Sequence, residues 1–101
     1  MRRGGLDEEL NQKRIERLYA AFLNLKTKDE AAAFLRDLCT ISELEAMSER
    51  LAIAERVAKG ESYASVAGDL SASTTTVTRV AHWLNHGRGG YATVIARLQK
   101  K

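Results

Sequence analysis

Apolar residues recur along the chain with a helical period. Leu10, Ile15, Leu18, Phe22 and Leu25 lie three to five residues apart with Arg and Glu between them, which predicts one long helix over Leu6–Leu25. Thr27-Lys28-Asp29-Glu30 reads as a capping box, in which the Thr hydroxyl and the Glu carboxylate each accept a backbone N–H from the other residue. It opens a second helix to about Cys39, with Ala33, Phe34, Leu35 and Leu38 as its buried side. Thr40-Ile41-Ser42-Glu43 is a second such box, and Ser42 with Glu45 offers an alternative start. The helix that follows runs to about Lys59 on an apolar stripe of Leu44, Met47, Leu51, Ala54, Val57 and Ala58, and Gly60 is the expected left-handed stop.

Between Ser62 and Trp83 the pattern tightens into two short helices around a turn at Ser71-Ala72-Ser73. Tyr63–Leu70 is the first, and Thr74 to about Asn85 the second. Val66, Leu70, Ala72, Val77 and Val80 aim both at one core, and Ala67 falls where the two must cross closely. Ser73 is a good N-cap, because its hydroxyl can accept an orphan backbone N–H. Gly87, Gly89 and Gly90 break the chain before a last helix over Tyr91–Leu98, with Val94, Ile95 and Leu98 on one side. The expected fold is all-α with six helices in one domain over residues 1–101. Within it, 1–39 supplies dimerisation helices, 40–60 a central helix, 62–86 a helix-turn-helix and 91–99 a C-terminal helix.

The second short helix starts with Thr74, Thr75 and Thr76, followed by Thr78 and Arg79. Threonine is a poor helix former, so propensity does not explain this choice. Short hydroxyl side chains at a helix N-terminus suit an element placed in a DNA major groove, where they meet phosphates, base edges and thymine methyl groups. That is the layout of a helix-turn-helix with a recognition helix. An ordinary helical hairpin with a polar outer face is the alternative. Ser62, Tyr63, Ser73, Thr74, Thr75, Thr76, Thr78 and Arg79 are the expected DNA-binding residues.

The net charge of +3 adds little, but its distribution does: no acidic residue follows Asp69, whereas Arg79, Arg88, Arg97, Lys100 and Lys101 do. The basic tail Met1–Gly5 would suit a phosphate-contacting arm or a processing scar equally. The single cysteine, Cys39, is expected to be a small buried apolar residue rather than a reactive thiol. With no signal peptide and no membrane-length apolar run, a cytoplasmic location is expected, with no membrane partner. His82 and His86 stand four apart on one helix face, yet a metal site needs further ligands that the sequence does not name. They are read as basic-face residues, and no metal and no cofactor are expected. There is no catalytic grouping and no phosphate-binding glycine loop, so the chain is not read as an enzyme.

The segment Leu38–Val80 resembles the core of the Trp repressor superfamily. The likeness rests on Leu38-Cys39-Thr40, on Glu43 with Arg50 seven residues later, on Gly60-Glu61, and on Thr76-Val77-Thr78-Arg79. Asp37–Ile41 and Ala72–Thr76 make it most similar to the YerC/YecD type of Trp-repressor-like protein. The resemblance spans nearly the whole chain and implies an intertwined homodimer that binds operator DNA. It also implies an effector pocket at Thr40, Arg50 and Arg79. Two pocket positions depart from the family: Val80 replaces a glycine and Trp83 a serine. Val80, with Trp83, is expected to fill the slot from within, so free tryptophan is not the expected effector. The glycine common in the turn is Ser71 here, which requires Ser71 to take a left-handed conformation, and the loop before the motif is one residue shorter. Arg50 has a second reading, as the partner of a helix-face carboxylate such as Glu43.

The first two helices carry more apolar surface than the chain around them can cover, which independently predicts a homodimer. The functional expectation is a sequence-specific, homodimeric DNA-binding regulator, a repressor that does not respond to tryptophan. Its partner is double-stranded operator DNA, with a small-molecule effector left open. The alternative is a helical interaction and dimerisation module that does not read DNA.

Overall fold

A computed structural model of the protein describes residues 4–100; Met1–Arg3 of the expected basic arm and Lys101 lie outside the described residues. The fold has six helices: α1 Gly4–Phe22, α2 Lys28–Leu38, α3 Ile41–Ala58, α4 Tyr63–Leu70, α5 Thr74–His86 and α6 Gly90–Gln99. Among the described residues there is no strand, so the all-α class is as expected. The chain divides into two compact units, one up to Thr40 and one from Ile41 onward.

The first unit is α1 and α2. Thr27 caps α2 through its Oγ1, which accepts the Glu30 N–H at 3.0 Å. The expected reciprocal bond is displaced by one residue: Glu30 Oε1 accepts from the Lys26 N–H at 2.8 Å. Phe22 meets Phe34 edge-on at 5.8 Å. None of the described residues of this unit is buried. Ala33 and Leu38, expected inside, are exposed, Phe34 and Leu35 are half-buried, and so is Cys39. Two helices alone cannot enclose a core, so one side of each apolar stripe is left uncovered. Leu10, Ile15, Leu18 and Phe22 are exposed, and Leu23 is 87% exposed.

The second unit holds the core. α3 packs against α4, α5 and α6, and α4 against α5. Ile53, Ala54, Val66, Ala67, Val77, Val80 and Ile95 form one buried cluster, with Leu51, Val57, Leu70, Ala72, Leu84 and Tyr91 packed on its edge. Burying a Val or Ile side chain contributes about 1.5–3 kcal/mol. Ile53, absent from the expected stripe, is fully buried, whereas Met47 is 37% exposed. The core-facing side of α3 keeps Leu51, Ala54 and Val57 of the expected stripe and widens to include Ile53, while Met47 lies outside it.

Two turns shape this unit, and both have the Schellman arrangement. After α3, Gly60 takes φ 92°, its N–H bonds the Val57 carbonyl and the Glu61 N–H bonds the Arg56 carbonyl. After α4, Ser71 occupies the same position at φ 55°, ψ 38°, with the Ala72 N–H on the Ala67 carbonyl at 2.9 Å. The left-handed conformation expected of Ser71 is thus present. A side chain there costs about 1–2 kcal/mol relative to the right-handed region. Glycine avoids that cost but loses about 0.5–1 kcal/mol through its unfolded-state entropy. Ser71→Gly should therefore stabilise the fold by about 0.5–1 kcal/mol. Thermal melts at fixed protein concentration check this, and a lower melting temperature would contradict the strain assigned to Ser71.

Arg56 ties the end of α3 to this region. Its Nε donates to Glu61 Oε1 at 2.7 Å and its Nη2 to Asp69 Oδ2 at 2.6 Å. Hydrogen bonds to Glu61 first and Asp69 second push its already high pKa further up. One guanidinium thereby links α3, the loop after it and the last turn of α4.

Candidate nucleic-acid interface

α5 is amphipathic by construction. Val77, Val80 and Ala81 face inward and are buried, while Thr74, Thr75, Thr78, Arg79 and His82 line an open groove of about 500 Å³ on the outer side. The two sets interleave at spacings of three and four, so one helix presents two unlike faces. The outer face carries hydroxyl, guanidinium and imidazole groups and no carboxylate.

Its N-terminus is capped within the motif. Ser73 Oγ accepts the Thr76 N–H at 3.0 Å and lies 2.9 Å from Thr76 Oγ1. Ser73 and the half-buried Thr76 thus bond each other, and their hydroxyls hold the helix start in place. Thr74, Thr75 and Thr78 are exposed. α4 begins in the same way, with Ser62 Oγ accepting the Ser65 N–H at 3.1 Å, and Tyr63 beside it is 41% exposed. Neither α4 nor α5 has an acidic residue in its first turn. A helix N-terminus carries a partial positive charge and unsatisfied N–H groups, which favour an anion such as a phosphate.

A second cavity, of about 460 Å³, lies between α3, α5 and the start of α6. Arg50, Arg79, Val80 and Trp83 line it together with Ala46, Glu49, Thr76 and Tyr91. Thr40, also expected at an effector pocket, is exposed at the end of the first unit. Val80 is also part of the core at 3% exposure, and Trp83 is 56% exposed while lining the cavity with Arg50. Ala46 and Glu49 were not anticipated; Ala46 lies three residues before Glu49 and four before Arg50 on α3, and that spacing was the available signal. Arg79 is shared by the groove and the cavity.

Among the described residues no group of three or more His, Cys, Asp or Glu side chains could hold a metal ion. No described helix is long and apolar enough to cross a membrane.

Comparison with known proteins agrees with this geometry. Residues 8–99 match the family model described as Trp repressor protein. The chain is 32% identical over 93 residues to the uncharacterised protein YerC of Bacillus subtilis (strain 168), covering 92% of this chain and 89% of that one. It is similar to the crystal structure of a TrpR-like protein from Eubacterium eligens ATCC 27750, with a TM-score of 0.82, 38% identity, and coverage of 91% and 95% of the two chains. A structure from Staphylococcus aureus also has a TM-score of 0.82, at 32% identity and with coverage of 93% and 94%. A matched family model over most of the length, with the same fold in relatives this similar, means that the chain belongs to the Trp repressor family.

Proposed function

We propose that the protein is a homodimeric regulator that binds double-stranded operator DNA through the outer face of α5 and represses transcription. One observation carries the reading: Thr74, Thr75, Thr78 and Arg79 are exposed side by side in one groove while the opposite face of α5 is held in the core. A rigid helix with a hydroxyl-rich, basic outer face matches what a major groove offers, namely phosphates at its walls and donors, acceptors and methyl groups at its floor. Ser62 and Tyr63 at the start of α4 are assigned to the DNA backbone. Ser73 and Thr76 are assigned to the same interface, chiefly by fixing the N-terminus of α5. The dimer is supported by the uncovered apolar residues of the first unit, Leu23 above all. A second copy also supplies a second reading helix, which a two-fold operator requires about 34 Å from the first.

The cavity beside Arg50 and Arg79 has the size of a small-molecule pocket. Its two guanidiniums suit an anionic group. Val80 and Trp83 stand at the positions where the family resemblance implies glycine and serine, so the reading does not make tryptophan its occupant.

The test is selection of genomic fragments by the purified protein, followed by sedimentation of the complex. The expected result is a discrete set of fragments retained against excess competitor DNA, each bound by two chains. Retention of every fragment alike, or of none, would instead favour a helical interaction module that does not read DNA.

A further inference from the structure

We propose that His82 and His86 form a two-imidazole binding site for a late first-row divalent cation of the copper or zinc class. The two rings stand on successive turns of α5, both exposed, with centroids 5.1 Å apart and planes tilted by 43°. A histidine nitrogen binds such a metal at about 2.0–2.1 Å, which puts the centre of its ring about 3.2 Å from the ion. Two rings on one ion at an angle between a right angle and the tetrahedral value are then about 4.5–5.2 Å apart. The observed separation falls inside that window. Trp83 packs edge-on against His82 at 5.3 Å and restricts the plane of that ring.

The ligand chemistry selects the metal. Imidazole suits copper, nickel and zinc, whereas calcium and magnesium require oxygen ligands. Among the described residues no further His, Cys, Asp or Glu completes a group of three, so the remaining coordination positions belong to water or to an external donor. His82 opens onto the groove shared with Thr74, Thr75, Thr78 and Arg79, so an incoming oxygen ligand has access. The Arg79 guanidinium lines the same groove and opposes a dication, which makes the site weaker than a closed structural one. The assignment rests on the ring geometry alone and stands whether or not α5 reads DNA.

Trp83 is the only tryptophan of the chain and touches one of the two rings, so its emission reports on the site. Cu²⁺ is the probe, because it binds nitrogen ligands most tightly in its series and quenches a neighbouring indole. The full chain is used in a Cys39→Ser background, which removes the only thiol. The expected result is saturable quenching by one Cu²⁺ per chain, half-complete below about 100 µM. His82→Gln and His86→Gln should each weaken it by at least the roughly 10–100-fold that even an outer-shell partner of a metal site can contribute. Both rings are exposed, so these variants keep the fold, and a far-ultraviolet circular dichroism melt verifies that. Quenching that does not saturate, that survives in both variants, or that depends on only one of the two histidines would overturn the proposal.

Discussion

Ile53→Ala should destabilise the protein by about 2–5 kcal/mol, the largest single loss expected from any truncation in the chain. Ile53 has no exposed surface and sits on α3, the helix that packs against α4, α5 and α6. The cluster around it consists of small residues, mostly Val and Ala, held by four helices. Truncation removes buried methyl groups and leaves a cavity that the fixed backbones of these helices cannot collapse. A domain of this size has a total stability of about 5–15 kcal/mol, so the loss is a large fraction of it. Leu98→Ala, at a residue that is 43% exposed, should cost much less, within the range of about 0.5 kcal/mol usual for surface changes. Denaturant titrations of the two variants at equal protein concentration check this, because a dimer's stability depends on concentration. Equal midpoints would place the core elsewhere than around Ile53.

The helices of the second unit were legible in the sequence because several local signals agreed there. Ser73 caps α5 as its position suggested, Val66, Val77 and Val80 have the right spacing and are buried, and Gly60 ends α3. Ser71 was legible only as a requirement: nothing in a serine announces a left-handed turn, and the conformation follows from the packing of α4 on α5. Ile53 was missed because α3 contacts three other helices, so its buried side is broader than a single stripe. Arg56 was missed because its partners are five and thirteen residues away, and the second depends on how α4 folds back. In the first unit the apolar stripes were legible but their burial was not. Ala33 and Leu38 have core spacing yet remain exposed within one chain. The threonine-rich face of α5 was legible as a set, but the pairing of Ser73 with Thr76 was not, because the sequence treats all these hydroxyls alike. The cavity beside Arg50 was anticipated as a filled slot. The side chains of Val80 and Trp83 both line it, and how much of it they occupy is not encoded in their spacing.

Arg79→Ala and Thr75→Ala should impair DNA binding in different ways. Arg79 is exposed on α5, and its charge lies in the groove proposed to face DNA. A guanidinium neutralising one phosphate releases counterions, so its loss weakens binding to all fragments alike and lowers the slope of log affinity against log salt by about 0.9. Thr75 is exposed in the first turn of the same helix and carries no charge. If its hydroxyl and methyl meet a base edge, its removal should cost about 1–3 kcal/mol on a preferred fragment and little on others, with the salt slope unchanged. The most direct test is therefore the affinity of the wild type and the two variants for one selected fragment and one scrambled fragment across a series of salt concentrations. The outer face of α5 is the reading surface if Arg79→Ala flattens the salt slope on both fragments and Thr75→Ala narrows the difference between them. Unchanged affinities and slopes in both variants would contradict it.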